Sequence, residues 1–196
     1  MGGILETLKS PSFFEKILLL LLTALLSGLL VPVMMQDIAH KKFKEQKVFE
    51  ADLLRQTKIL ESQIEFFNII SELLARFQLS ALEVSYYKHH KNKDKYEVAV
   101  KKYDDNIWDL YIKIHYEIDR AKRLISPAMH QRFIEFYQNV LIPQDSALTN
   151  LIEQGTETAD DEWNRFHQLV GVNATKARDI IYDLAQELRL AVESSK

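Results

Sequence analysis

Two side chains in this chain, Arg123 and His130, have the types and spacing to act together on a phosphate group. An imidazole moves protons near neutral pH, and a guanidinium holds an anion in a fixed fork. Six residues separate the pair. They flank Ser126 and Pro127, an N-cap followed by proline at the first helical position. A helix end of that kind turns neighbouring side chains toward one place. Arg120, Lys122 and Arg132 are near enough in sequence to hold nucleic-acid phosphates. The bland alternative is a polar helix end, and Leu124 directly after the arginine fits it better.

Other chemistries fail on spacing. No HExxH is present, and no Glu stands three residues before a His, so the carboxylate-bridged di-iron signature is missing. Asp37 and His40 have that spacing but stand alone beside an apolar run. His89 and His90 sit in a Lys-rich stretch that reads as a solvated loop, so no metal site is expected. Five glycines, none in a Gly-rich loop before a helix, give neither a P-loop nor a dinucleotide fingerprint. With no cysteine, there is no disulfide, thiolate metal site or thiol nucleophile. A net charge of −3 argues against broad nucleic-acid binding. No cofactor is expected.

The elements that would position such residues begin with one apolar run, Ile17 to Met35. It has 19 residues and no charge. At about 1.5 Å per residue it is ~28 Å long, close to the ~30 Å hydrocarbon core of a bilayer. It is longer than a signal-peptide h-region and no small-x-small cleavage site follows, so a retained anchor is expected. Lys41, Lys42, Lys44 and Lys47 follow it, against Lys9 and Lys16 before it, which places the C-terminal domain in the cytoplasm. Ser12 and Glu15 form a capping box at its start, and residues 3–9 read as a short interfacial turn.

Beyond the run, breakers are scarce. Between Gly28 and Gly155 there is no glycine, and after Pro32 the prolines are Pro127 and Pro143. Apolar residues recur at spacings of three, four and seven, as in Phe49, Leu53, Leu60, Phe67, Ile70, Leu74 and Phe77. Pro32 is expected to kink the helix without ending it, so the first helix reaches about residue 87. A loop follows over residues 88–95, then a helix to about Ile125. A third helix starts at Pro127 and is ended by Pro143. Residues 145–154 form a short helical turn closed by Gly155, and a last helix starts at Asp160.

The expected fold is all-α: an N-terminal transmembrane helix continues into a long helix of an antiparallel bundle of about four helices. The expected segments are 1–11 (interfacial), 12–36 (membrane helix) and 37–196 (helical bundle with stalk). Thr23, Ser27 and Gly28 are small or polar residues that would let anchor helices approach closely. Phe43, Phe49 and Leu53 lie where the rest of the chain cannot cover the long helix, so a second copy or lipid headgroups must meet them.

In layout the chain resembles small bacterial membrane proteins with one N-terminal anchor and a cytoplasmic helical domain. Among these is the HEPN-like accessory membrane protein of some RNA-targeting CRISPR systems. The resemblance covers the arrangement of the whole chain, and Arg123 and His130 are the residues that would carry it. It implies a homo-oligomeric membrane component acting by assembly, as a pore, a membrane accessory or a scaffold for a cytoplasmic protein, and a place in antiviral defence. The enzymatic alternative is a membrane-tethered ribonuclease of the HEPN class using Arg123 and His130.

Overall fold

The computed structural model describes residues 11–155 and 159–190. Among these residues every regular element is helical and no strand occurs. The elements are α1 (Pro11–Leu25), a π-helical segment (Leu26–Leu30), α2 (Val31–His89), α3 (Lys93–Ala121), α4 (Pro127–Phe136), a second π-helical segment (Tyr137–Leu141), α5 (Ile142–Gln154) and α6 (Asp160–Glu187). The interfacial turn expected at residues 3–9 lies outside the described residues.

Two prolines sit inside helical stretches, and each follows a π segment. The Val31 amide donates to the Leu26 carbonyl, and the Ile142 amide donates to the Tyr137 carbonyl. Pro32 and Pro143 come next in sequence. A proline has no amide to donate, and its ring crowds the carbonyl four residues back. Shifting the hydrogen-bond ladder by one residue just before the ring removes that conflict. The expectation that Pro143 ends the third helix is therefore corrected. The helix passes through a π segment, and residues 145–154 belong to α5. Gly155 then closes α5 with φ of 63°, a conformation that suits a residue without Cβ.

The other boundaries are tighter than expected. The loop assigned to residues 88–95 shrinks to His90–Asn92, with Lys91 at φ 52°. Asn92 caps α3 by accepting from the Lys95 amide at 3.2 Å. Helix α3 stops at Ala121, because the Leu124 and Ile125 amides both turn back onto the Ala121 carbonyl. Ser126 caps α4 as its type predicts, accepting from the Met129 amide at 3.2 Å.

The chain divides into two compact units, residues 1–57 and 58–196. In the second, apolar stripes of α2, α3, α4 and α6 meet in one core. Phe66, Ile70, Leu74 and Phe77 of α2 are buried with Tyr103, Ile107 and Ile114 of α3, Phe133 of α4, and Trp163, Phe166 and Leu184 of α6. Phe66 meets Phe133, and Phe77 meets Tyr111, edge to face at 5.8 and 5.5 Å between ring centres. In the first unit no described side chain is buried.

Candidate functional site

Among the described residues no hydrogen bond or ion pair joins Arg123 to His130. Arg123 is exposed in the turn after α3. His130 Nε2 lies 3.0 Å from the carbonyl of Ile118, in the last turn of α3. A carbonyl only accepts, so Nε2 carries the proton and satisfies an end-of-helix acceptor. The N-terminus of α4 is covered from elsewhere: the Ser126 amide and hydroxyl donate to the Glu187 carboxylate at 2.7 and 2.6 Å. That carboxylate occupies the anion position this helix end would offer to a phosphate. No group of three or more metal-ligating side chains is present among the described residues.

The residues expected to pack anchor helices lie in α1 and the first π segment. Thr23 Oγ1 donates to the Leu19 carbonyl and Ser27 Oγ to the Thr23 carbonyl, both at 2.6 Å. Both hydroxyls are thus satisfied within the helix. A Cβ added at Gly28 would meet nothing within 4 Å. The stretch from Leu18 onward is long and apolar enough to cross a bilayer, and the rest of the chain buries none of its most apolar window.

Further along α2, Phe43, Phe49 and Leu53 are 58%, 67% and 54% exposed. The Lys47 ammonium lies over the Phe43 ring, 5.2 Å from its centre. Phe49 and Leu53 belong to a longer pattern. Positions 46, 49, 53, 56, 60, 63, 67, 70, 74 and 77 alternate in steps of three and four, the heptad repeat of a packed seam. Ile70, Leu74 and Phe77 are buried in the helical domain, whereas Phe49, Leu53 and Leu60 are exposed. Gln46, Gln56 and Gln63 interrupt the seam with amides. These glutamines look like surface residues unless the heptad is counted.

Two polar networks join α2 to α6. In the first, Asn173 Nδ2 donates to Gln144 Oε1 at 2.8 Å, and Gln144 Nε2 donates to Gln78 Oε1 at 3.0 Å. All three side chains are buried, and the chain of amides ends on Gln78 Nε2, which has no partner among the described residues. In the second, His89 Nδ1 lies 2.6 Å from Asn164 Oδ1, and Ser85 Oγ lies 2.9 Å from His167 Nδ1. His89 is the last residue of α2, exposed and tied to α6, and the loop begins at His90. Ser85 Oγ also donates to the Leu82 carbonyl, so its single proton is used and His167 Nδ1 donates to it. Burial, and then the nearby His89 and His90, hold the His167 pKa below the ordinary imidazole value. Ser85 is wholly buried, so the pair ties helices together and offers no nucleophile.

Lower on α3, burial raises the pKa of Glu117 against the opposing charge of Arg120, whose Nε lies 3.2 Å away. Glu65 also faces Arg120, at 3.2 Å. These groups form an ion cluster between α2 and α3. Set beside known proteins, this chain matches no family model, no curated protein and no solved structure.

Proposed function

We propose that this chain is a single-pass membrane protein that acts by assembly with copies of itself. One observation carries the reading: the apolar stretch of α1 and early α2 has every described side chain exposed, from Leu18 through Met35. Each fully buried large apolar side chain contributes about 1.5–3 kcal/mol. Leaving a run of them in water is far too costly for a chain of ordinary stability. Lipid covers them in this reading. The lysines at 41, 42, 44 and 47 meet the headgroups and hold the helical domain on the cytoplasmic side.

The exposed half of the α2 heptad supports the assembly step. An anchor holds every copy in the same orientation and at the same depth, so the copies' seams lie parallel and in register. Phe49, Leu53 and Leu60 then pack against their own equivalents, and Gln46 and Gln56 pair amide to amide, which selects register. Glu45 of one copy meets Glu50 of the next beside the seam, a like-charge contact that works against assembly and that the buried apolar seam must outweigh. The assembled protein serves as a pore, a membrane accessory or a scaffold for a cytoplasmic partner.

The experiment is fractionation followed by alkaline extraction. The full chain stays in the membrane pellet, and a chain with Leu20→Arg and Leu21→Arg is released. Release of the unaltered chain by alkali would end the anchor reading.

A further inference from the structure

We propose that the lysines just beyond the apolar span, Lys41, Lys42, Lys44 and Lys47, bind anionic phospholipids in preference to zwitterionic ones. The proposal rests on the anchor reading and names the lipid partner of that anchor. All four side chains are exposed, and no carboxylate pairs with any of them among the described residues. The positive charge is local. Residues 36–47 set these four lysines against Asp37 and Glu45, a net charge of +2. Residues 48–57 set Arg55 against Glu50 and Asp52, a net charge of −1. A site for a polyanion in solution has no reason to end there. The field of an anionic bilayer does end, within about a Debye length of ~8 Å at physiological salt.

Side-chain direction carries this charge toward the membrane. Every Cα–Cβ bond of a helix tilts toward the N-terminus, and beyond the span that is the membrane side. Lys47 shows the result: its ammonium lies over the Phe43 ring, 5.2 Å from the centre, one turn nearer the span than its own backbone. Along the axis, at ~1.5 Å per residue, Phe43 stands about 12 Å past Met35, and Lys41 and Lys42 about 9–10 Å past it. The headgroup layer fills roughly the first 5–8 Å beyond the hydrocarbon. A lysine leaning back by about one turn, ~5 Å, reaches it. Phe43 is 58% exposed and stands off the seam of positions 46, 49 and 53, so its ring remains available to lipid. Before the span the same tilt carries Lys16 away from the membrane, and Lys9 and Lys16 are matched in charge by Glu6 and Glu15. A phosphatidylcholine phosphate carries its own ammonium and offers the lysines no net charge, whereas phosphatidylglycerol offers a full one.

The test reconstitutes the full chain in mixed bilayers of phosphatidylcholine and phosphatidylglycerol. Trace spin-labelled phosphatidylglycerol or spin-labelled phosphatidylcholine is added to parallel samples, and electron spin resonance reads the share of each label slowed at the protein. Expected is about a fivefold preference for phosphatidylglycerol, the effect of one lysine beside an anionic surface. The preference falls toward equality at about 1 M salt, where the Debye length is ~3 Å. A variant with Lys41→Gln, Lys42→Gln, Lys44→Gln and Lys47→Gln loses it, whereas Lys9→Gln with Lys16→Gln keeps it. Glutamine forms helix about as well as lysine, so the span and the helix stay intact. Equal slowing of both labels by the unaltered chain, a preference that persists in high salt, or one that survives in the variant with all four lysines replaced would each overturn the proposal and leave the anchor reading standing. Slowing of neither label would overturn the anchor reading, and the lipid preference with it.

Discussion

The Tyr111 hydroxyl donates to the Leu141 carbonyl at 3.0 Å, inside the core. This bond ties α3 to the junction between the π segment and α5. Leu141 ends the π segment and begins the turn into α5, and Tyr111 gives its carbonyl a side-chain donor. Tyr111 is buried on α3, with its ring edge on Phe77 and Tyr137. Tyr111→Phe keeps those ring contacts and removes one buried hydrogen bond. A loss of about 1–2 kcal/mol in unfolding free energy is expected from chemical denaturation. An unchanged midpoint would show that the carbonyl is satisfied without Tyr111.

Gln144 lies at the centre of the buried amide chain, so its removal is worse than that of either neighbour. Gln144→Leu strands Gln78 Oε1 and Asn173 Nδ2 together. The expected loss is about 2–4 kcal/mol, against roughly half as much for Asn173→Leu. Thermal unfolding of both variants beside the unaltered chain decides the order.

The pH dependence follows from His167. Its folded-state pKa is lowered from 6.5, so the unfolded chain binds this proton more readily than the folded one. Its contribution is fully present above 6.5 and is lost as the pH falls below it. His167→Asn removes a titrating group while keeping a polar partner for Ser85. The variant is therefore expected to lose stability less steeply than the unaltered chain between neutral and mildly acidic pH. Parallel unfolding curves at both pH values would show that His167 is not the source.

Gly171 lies mid-helix with open space around its absent Cβ. Gly171→Ala is expected to stabilise the fold by about 0.5–1 kcal/mol, because alanine loses less backbone freedom on folding. A raised unfolding midpoint is the readout, and a lowered one would contradict this.

The helices were legible in the sequence because apolar stripes on a 3.6-residue period are local information. Phe77, Tyr103, Phe133 and Trp163 all sit on such stripes and all are buried, whereas the stripe runs through Phe67 and it is its neighbour Phe66 that is fully buried. Pro143 misled because a π segment relieves the ring, and nothing in the pattern Tyr137–Leu141 announces one. The amide chain was invisible for another reason. Gln78, Gln144 and Asn173 each look like solvated residues, and only tertiary packing sets them opposite one another. The spacing of Arg123 and His130 does not fix the direction of a ring, and the contact of His130 Nε2 with the Ile118 carbonyl depends on how α4 packs on α3.

The mass of the full chain in mild detergent, measured by light scattering after size exclusion, tests self-assembly most directly. Phe49→Lys and Leu53→Lys are run beside the unaltered chain. Both positions are exposed, so neither change disturbs the core, and helical content by circular dichroism stays the same. A defined oligomer for the unaltered chain and a single-chain mass for both variants is the predicted result. A single-chain mass for all three, or an oligomer that survives both substitutions, would contradict it.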